Sequence, residues 1–223
     1  MKKIRNGIFV CLEGADGCGK STQVNLLKDY YASEGFDVTV TREPGGILTA
    51  EQIRNVILYN EMDNLTEAFL FMAARRINYT KVVTPALNRD QLVICDRFID
   101  STIVYQSIIG NIPKSTIMIL NNIAIDRQNP DLSIILDIDP KVAFDRVNSN
   151  PDRADKNKYD AKPLSFFERL AEAYGSLEEK EWAQGSSYKR AHVDANGSRE
   201  DVLNSIVKEI NKIIRPRVYD SSL

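Results

Sequence analysis

The stretch Gly14-Ala15-Asp16-Gly17-Cys18-Gly19-Lys20-Ser21 constrains this chain more than any other. It fits the phosphate-binding pattern G-x-x-x-x-G-K-[ST] residue for residue. Its setting fits as well: Ile8-Phe9-Val10-Cys11-Leu12 reads as a buried strand before it, and Val24, Leu27 and Tyr31 recur at helical spacing after it. A strand, a glycine-rich turn and a helix place backbone N–H groups against the β- and γ-phosphates of a nucleotide. Lys20 is the expected phosphate-binding cation, and Ser21 the expected hydroxyl ligand of Mg²⁺. The nucleotide-binding set expected from the motif is Gly14, Ala15, Asp16, Gly17, Cys18, Gly19, Lys20, Ser21 and Thr22. The competing reading is a glycine-rich turn that holds no ligand.

The remaining composition narrows the class. At 223 residues the chain reads as a single domain over 1–223, with room for a small lobe. A formal net charge of −2 disfavours an extended nucleic-acid surface, and no apolar run approaches membrane-spanning length. The N-terminus shows no signal-peptide core. Cys11, Cys18 and Cys95 are odd in number and two lie on predicted buried strands, so reduced thiols and a cytoplasmic setting are expected. With His192 as the lone histidine, a histidine relay or histidine-rich metal site has little material.

Along the chain, strands alternate with helices. That pattern predicts an α/β fold with a parallel sheet of about five strands and helices on both faces. A strand at Val38 to Val40 runs into Thr41-Arg42-Glu43-Pro44-Gly45-Gly46, a sharp loop with an arginine at a strand's carboxyl end, where such sheets place ligands. A long helix from about Leu65 to Leu87 carries Ala68, Met72, Arg75, Tyr79, Val82 and Ala86 on one face. Arg75 interrupts this apolar stripe one turn after Phe71, and a buried arginine needs a partner. A stem snorkelling beside a core phenylalanine is the alternative.

Leu92-Val93-Ile94-Cys95 reads as the third strand, with Asp96-Arg97 at its end. An acid there can hold Mg²⁺ through water, and the arginine beside it points into the same cleft. A surface ion pair is the bland alternative. Asp139-Pro140 and Ser198 with Asp201 mark helix starts. The polar segment at about 150–163 contains Arg153 and reads as a lid between two helices. Arg215-Pro216-Arg217 onward reads as a terminal tail.

Taken together these residues resemble the thymidylate kinases over almost the whole chain. The phosphate loop is shared by many families, but the Thr41-Arg42-Glu43-Pro44-Gly45-Gly46 loop, Leu70-Phe71 to Arg75, and Asp96-Arg97-Phe98 followed by Ser101-Thr102 and Tyr105-Gln106 are specific in this order. The resemblance implies a P-loop nucleoside-monophosphate-kinase-like fold, ATP and dTMP as substrates, Mg²⁺, and a homodimer. It implies that Phe71 stacks on thymine, Arg75 bonds a base oxygen and so finds its partner in the substrate, and Arg97 binds the acceptor phosphate. Asp96 supports Mg²⁺, and Arg42 and Pro44 shape the acceptor site. Ser101, Thr102 and Gln106 line the substrate side, Tyr105 lies under the sugar and disfavours a 2′-hydroxyl, and Asp16 faces the sugar. Some members of the family carry a catalytic arginine in the phosphate loop. Gly17 stands at that position here, and the resemblance transfers the role to Arg153 in the lid.

The chain departs from the family pattern at Ile47, at Val104 and in a lid rich in lysine and asparagine. A GTPase switch is a rival reading, because Asn157-Lys158-Tyr159-Asp160 matches N-K-x-D and Asp194-Ala195-Asn196-Gly197 matches D-x-x-G. The two lie in the wrong order for it. A kinase for another nucleoside monophosphate is the nearer rival.

Overall fold

The computed structural model describes residues 2–149, 158–159, 162–178, 180–183 and 186–220. The chain opens with β1 (Lys2–Ile4) and β2 (Ile8–Glu13), then α1 (Lys20–Ser33), β3 (Val38–Arg42), α2 (Leu48–Tyr59) and α3 (Asn64–Asn78). A π-helical turn at Tyr79–Val83 carries α3 into α4 (Thr84–Leu87). After β4 (Leu92–Asp96) come α5 (Ile99–Thr102), a second π-helical turn (Ile103–Ile109) and α6 (Lys114–Ala124). β5 (Leu132–Asp137), α7 (Pro140–Asn148), α8 (Leu164–Gly175), β6 (Lys180–Ala183), β7 (Ser186–Asp194), α9 (Arg199–Ile214) and β8 (Val218–Asp220) follow.

The main sheet has the order β3-β4-β2-β5-β7-β6. The first five strands are parallel, as expected, and β6 adds an antiparallel edge that the sequence reading does not contain. From β2 the chain moves to one side for β3 and β4, then crosses to the other for β5. This reversal opens a crevice beyond the carboxyl end of β2, where the phosphate loop lies. Register does the rest: Leu12 is level with Asp96, and Arg42 is level with Asp96 on the other side.

Side-chain alternation along β2 divides the core between two layers. Phe9 and Cys11 pack with Ala68, Met72, Ile117 and Leu170 on the α3, α6 and α8 side. Ile8, Val10 and Leu12 pack with Leu27, Ala143, Ile206 and Ile210 on the α1, α7 and α9 side. The long helix departs from its expected face in one detail. Val83 is fully buried and Val82 only half-buried, because the π-turn inserts one residue into the helical repeat. Thr84 N–H bonds back to Tyr79 O just before Pro85, which has no N–H to continue an α-helical ladder.

The expected helix caps are formed. The Asp139 carboxylate accepts from Lys141 N and Val142 N, and Ser198 Oγ accepts from Asp201 N. The terminal tail is a structural element: β8 pairs antiparallel with β1, and Arg217 Nη1 lies 2.9 Å from Asp131 Oδ1.

Candidate active site

Two adjoining cavities occupy the crevice, one of about 570 Å³ and one of about 100 Å³. The larger is lined by the phosphate loop from Asp16 to Thr22, by Arg42 and Asp96, and by Arg146 and Arg199 on the far rim. The smaller is lined by Pro44, Leu58, Phe71, Ser101, Tyr105, Gln106 and Tyr159. Asp16, Arg54 and Arg97 line both. They form the wall through which one cavity meets the other.

On the larger side, Gly14 and Ala15 contribute backbone: their carbonyls accept from Lys20 Nζ at 3.0 and 2.8 Å. Gly17 has φ of +84°, and a Cβ there would fall 2.4 Å from Ala143 O. No side chain, an arginine included, fits at this position unless α7 moves. Ser21 Oγ donates to Asp96 Oδ2 at 2.7 Å, which joins the two expected Mg²⁺ ligands directly. Two hard oxygen donors beside a phosphate cradle suit Mg²⁺, which keeps waters and phosphate oxygens as its other ligands.

The smaller side is built from longer-range contacts. Arg97 adopts φ of +70°, a left-handed backbone that needs outside support from a non-glycine residue. Its guanidinium donates to Asp16 Oδ1 at 2.8 Å, Ser101 Oγ at 3.0 Å and Tyr174 OH at 3.2 Å, and lies 5.4 Å from the Tyr105 ring centre. Burial is the largest single influence and opposes its charge, but Asp16, Tyr105, Tyr174 and Asp96 together outweigh it and raise its pKa well above the ordinary arginine value. Beneath it, fully buried Glu13 accepts from Phe98 N at 2.7 Å and Ser101 Oγ at 2.5 Å. Burial first, and then the nearby Asp100 carboxylate, push Glu13 up to about 7. Asp100 is itself buried and accepts from Arg190, Tyr188 and Ser133, so α5 is pinned to β5 and β7.

The loop after β3 folds around Glu51. Arg42 Nε and Nη2 each lie 2.9 Å from a different Glu51 oxygen, and Gly46 N–H donates to Oε1 at 2.8 Å. A Cβ on Gly45, whose φ is +137°, would sit 2.4 Å from that same oxygen. The Asn78 amide holds the loop from behind, donating to Thr41 Oγ1, Arg42 O and Gly45 O. Arg54 donates to Pro44 O at 3.0 Å. Burial, then the charge of Arg42, depress its pKa.

Most predicted side chains meet here. Lys20, Ser21, Thr22, Arg42 and Asp96 face the larger cavity, Pro44, Phe71, Ser101, Tyr105 and Gln106 the smaller, and Asp16 and Arg97 both. Two sit elsewhere. Arg75 is 1% exposed and fully engaged by protein, with Nε 2.6 Å from Glu43 Oε2, Nη2 bonded to Phe98 O and Thr102 Oγ1, and Nη1 to Asn121. The structure supplies the partner that the apolar stripe demanded from within the protein, at Glu43. Thr102 lies in the same buried cluster rather than on the cavity wall. The predicted lid arginine, Arg153, lies outside the described residues, as does most of 150–163.

Sequence reasoning missed Glu13, Glu43, Arg54, Glu67, Tyr159 and Tyr174. Arg54 had a signal: it sits one helical turn after Glu51, just beyond the proline-glycine loop. The buried carboxylates had none, since burial is invisible in residue type. The guanine-motif reading also dissolves. Asp194 accepts from Asn196 N and Nδ2 as a turn before α9, and Lys158 pairs with Glu67.

A parallel sheet, a phosphate loop at its switch point and a second cavity across an arginine wall define a P-loop kinase of the nucleoside-monophosphate-kinase fold. Comparison with known proteins narrows the class. The sequence profile of the family described as Thymidylate kinase matches residues 12–206. The thymidylate kinase of Shouchella clausii is 38% identical over 214 residues, covering 95% of this chain and 98% of that protein. Those of Geobacillus thermodenitrificans and Bacillus velezensis are 38% and 37% identical, over 92% and 94% of this chain and 90% and 98% of their own. The chain belongs to the thymidylate kinase family.

Proposed function

We propose that the protein transfers the γ-phosphoryl group of ATP to dTMP, giving dTDP and ADP, as a single kinase domain. The observation that carries this reading is the shared wall of Asp16, Arg54 and Arg97 between a phosphate-loop cavity and an aromatic-lined pocket. A donor phosphate on one side and an acceptor phosphate on the other meet at that wall.

In this reading the loop backbone and Lys20 hold the ATP phosphates, with Lys20 exchanging the carbonyls of Gly14 and Ala15 for phosphate oxygens. Ser21 and Asp96 hold Mg²⁺, which neutralises phosphate charge. Arg97 and Arg54 hold the acceptor phosphate in line with the γ-phosphorus. A phosphate monoester is already nucleophilic, so no general base is required, and catalysis rests on positioning and charge neutralisation. Phe71 and Tyr105 enclose the base and deoxyribose, and Gln106 meets the base edge. Arg75 and Thr102 act behind the pocket, fixing the loop that carries Pro44. Charge that spreads over the equatorial oxygens calls for one more cation, and Arg153 in the 150–163 segment is the proposed source.

We further propose a homodimer. Leu65 and Phe69 on α3 and Ile119 and Ile123 on α6 are exposed, with Ile123 at 68% and Phe69 at 53%, on two helices that pack together. Large apolar side chains gathered in this way mark a contact surface. A cytoplasmic setting accords with three free, buried cysteines and with the lack, among the described residues, of any helix long and apolar enough to cross a membrane.

The test is ADP release with Mg·ATP and, separately, dTMP, dUMP, dCMP, dGMP, UMP and thymidine. Selective turnover of dTMP is expected. Preference for another acceptor, or acceptor-independent hydrolysis, overturns the pocket assignment.

A further inference from the structure

Glu67 lies behind the wall of the smaller cavity, against Gln106 and Tyr159, which line it; it stands one helical turn before Phe71 and is 6% exposed. Three donors converge on its carboxylate: Gln106 Nε2 at 2.7 Å, the Tyr159 hydroxyl at 2.5 Å, and the Lys158 ammonium. An ionised carboxylate only accepts hydrogen bonds. Of the two ends of the Gln106 amide, therefore, only the NH₂ can turn toward Glu67, which assigns the amide orientation from the hydrogen-bond network. The carbonyl oxygen is the end left over. Gln106 lines the cavity between Phe71 and Tyr105, and among the described residues no donor meets that oxygen.

We propose that Glu67 sets the base specificity of the acceptor pocket by holding the Gln106 carbonyl toward the base, so that the pocket accepts a pyrimidine with a ring N–H, thymine or uracil, and rejects cytosine. This rests on the acceptor reading given above and deepens it. The ring N3 of thymine and uracil carries a proton and can donate to Gln106 Oε1. The N3 of cytosine is a bare acceptor, so two lone pairs would face each other in a desolvated pocket and both would go unpaired. The aromatic walls cannot make this distinction, because every pyrimidine presents the same face to them. Glu67 is thus a positioning residue, acting through Gln106. Lys158 and Tyr159 share its carboxylate, and so the acid that orients the base reader also fixes Tyr159 on the cavity wall.

The readout is the ratio of kcat/KM for dTMP to that for dCMP. In Glu67→Gln the new amide can accept as well as donate, so Gln106 is free to turn either way. The ratio is expected to fall about 10- to 100-fold, the range set by one buried unpaired hydrogen-bonding group. Loss of the Lys158 counter-charge lowers turnover of both substrates alike and leaves the ratio untouched, which Lys158→Met checks. Gln106→Leu should lose discrimination to a similar extent, and adding Glu67→Gln to it should lower the ratio no further. An unchanged ratio in Glu67→Gln, or discrimination surviving in Gln106→Leu, overturns the proposal while the acceptor reading stands. A wild-type protein that prefers dCMP, or uses neither nucleotide, overturns the acceptor reading itself and this inference with it.

Discussion

The two halves of the crevice are built on opposite plans. The donor half is a contiguous stretch of chain, Gly14 to Thr22, whose working groups are mostly backbone, with one lysine and one hydroxyl added. The acceptor half gathers side chains from the loop after β3, α2, α3, the turn after β4, α5 and the π-turn after α5, and rests on three buried carboxylates. Glu13 holds the Arg97 segment, Glu43 holds Arg75, and Glu67 holds Gln106. Phosphate chains are alike in every nucleotide, so a local backbone cradle suffices for the donor. A particular base and sugar must be distinguished in the acceptor, and that takes side chains held rigidly by others. The buried carboxylates supply that rigidity, because a charge inside a protein is strongly destabilised unless its partners stay in place.

Removing the key cation from either half should have the largest effect. Lys20→Ala and Arg97→Ala should each lower transfer on the order of 10⁴-fold while the circular dichroism spectrum stays native. The pair sharpens the comparison if Lys20→Ala weakens binding of an ATP analogue and Arg97→Ala weakens binding of dTMP, each by calorimetry. A variant of either kind that keeps near-normal turnover removes that residue from the mechanism. Arg153→Ala should cost on the order of 10³-fold in kcat with KM for both nucleotides little changed, since its charge matters as the phosphoryl group moves. A change confined to KM would place Arg153 in binding instead.

The braces can be broken separately. Glu43→Ala leaves the buried Arg75 guanidinium without its counter-charge, and breaking such a pair costs about 3–5 kcal/mol. Urea denaturation should show that loss, and dTMP binding should weaken far more than binding of an ATP analogue. Equal weakening of both would mean that the two halves are not independently supported.

The smallest effect is a pH slope. The Glu13 pKa is raised to about 7 in the folded protein, above an unfolded glutamate, so the folded state binds the extra proton. Its contribution to stability is therefore full at pH below the unfolded value near 4.5 and falls as pH rises toward 7. Glu13→Gln should flatten the decline in unfolding free energy between pH 5 and 8. A decline as steep as in the wild type would assign the slope to other groups.

Legibility followed the same division. The phosphate loop, the alternation of strands and helices and the Asp96–Arg97 pair were readable, because each is a short pattern with a local physical cause; the acceptor aromatics entered only through the family resemblance. The antiparallel β6 edge and the pairing of β1 with β8 were not, since short polar strands carry little hydrophobic period. Val82 was assigned to the core and Val83 took its place, because a π-turn breaks the period on which that assignment depends.

Arg75 shows where the limit lies. Its interruption of an apolar stripe correctly announced a buried charge in need of a partner. Residue type cannot say whether that partner is a ligand or a carboxylate 32 positions away. By itself the sequence determined the family, the parallel part of the sheet, the loop and the cations Lys20, Arg42 and Arg97, because these depend on neighbours along the chain. Only the tertiary structure decided which cations face the cavities and which serve as braces. Burial and electrostatic partnership are set across separations such as the 88 positions between Glu13 and Ser101, by packing that no local pattern encodes.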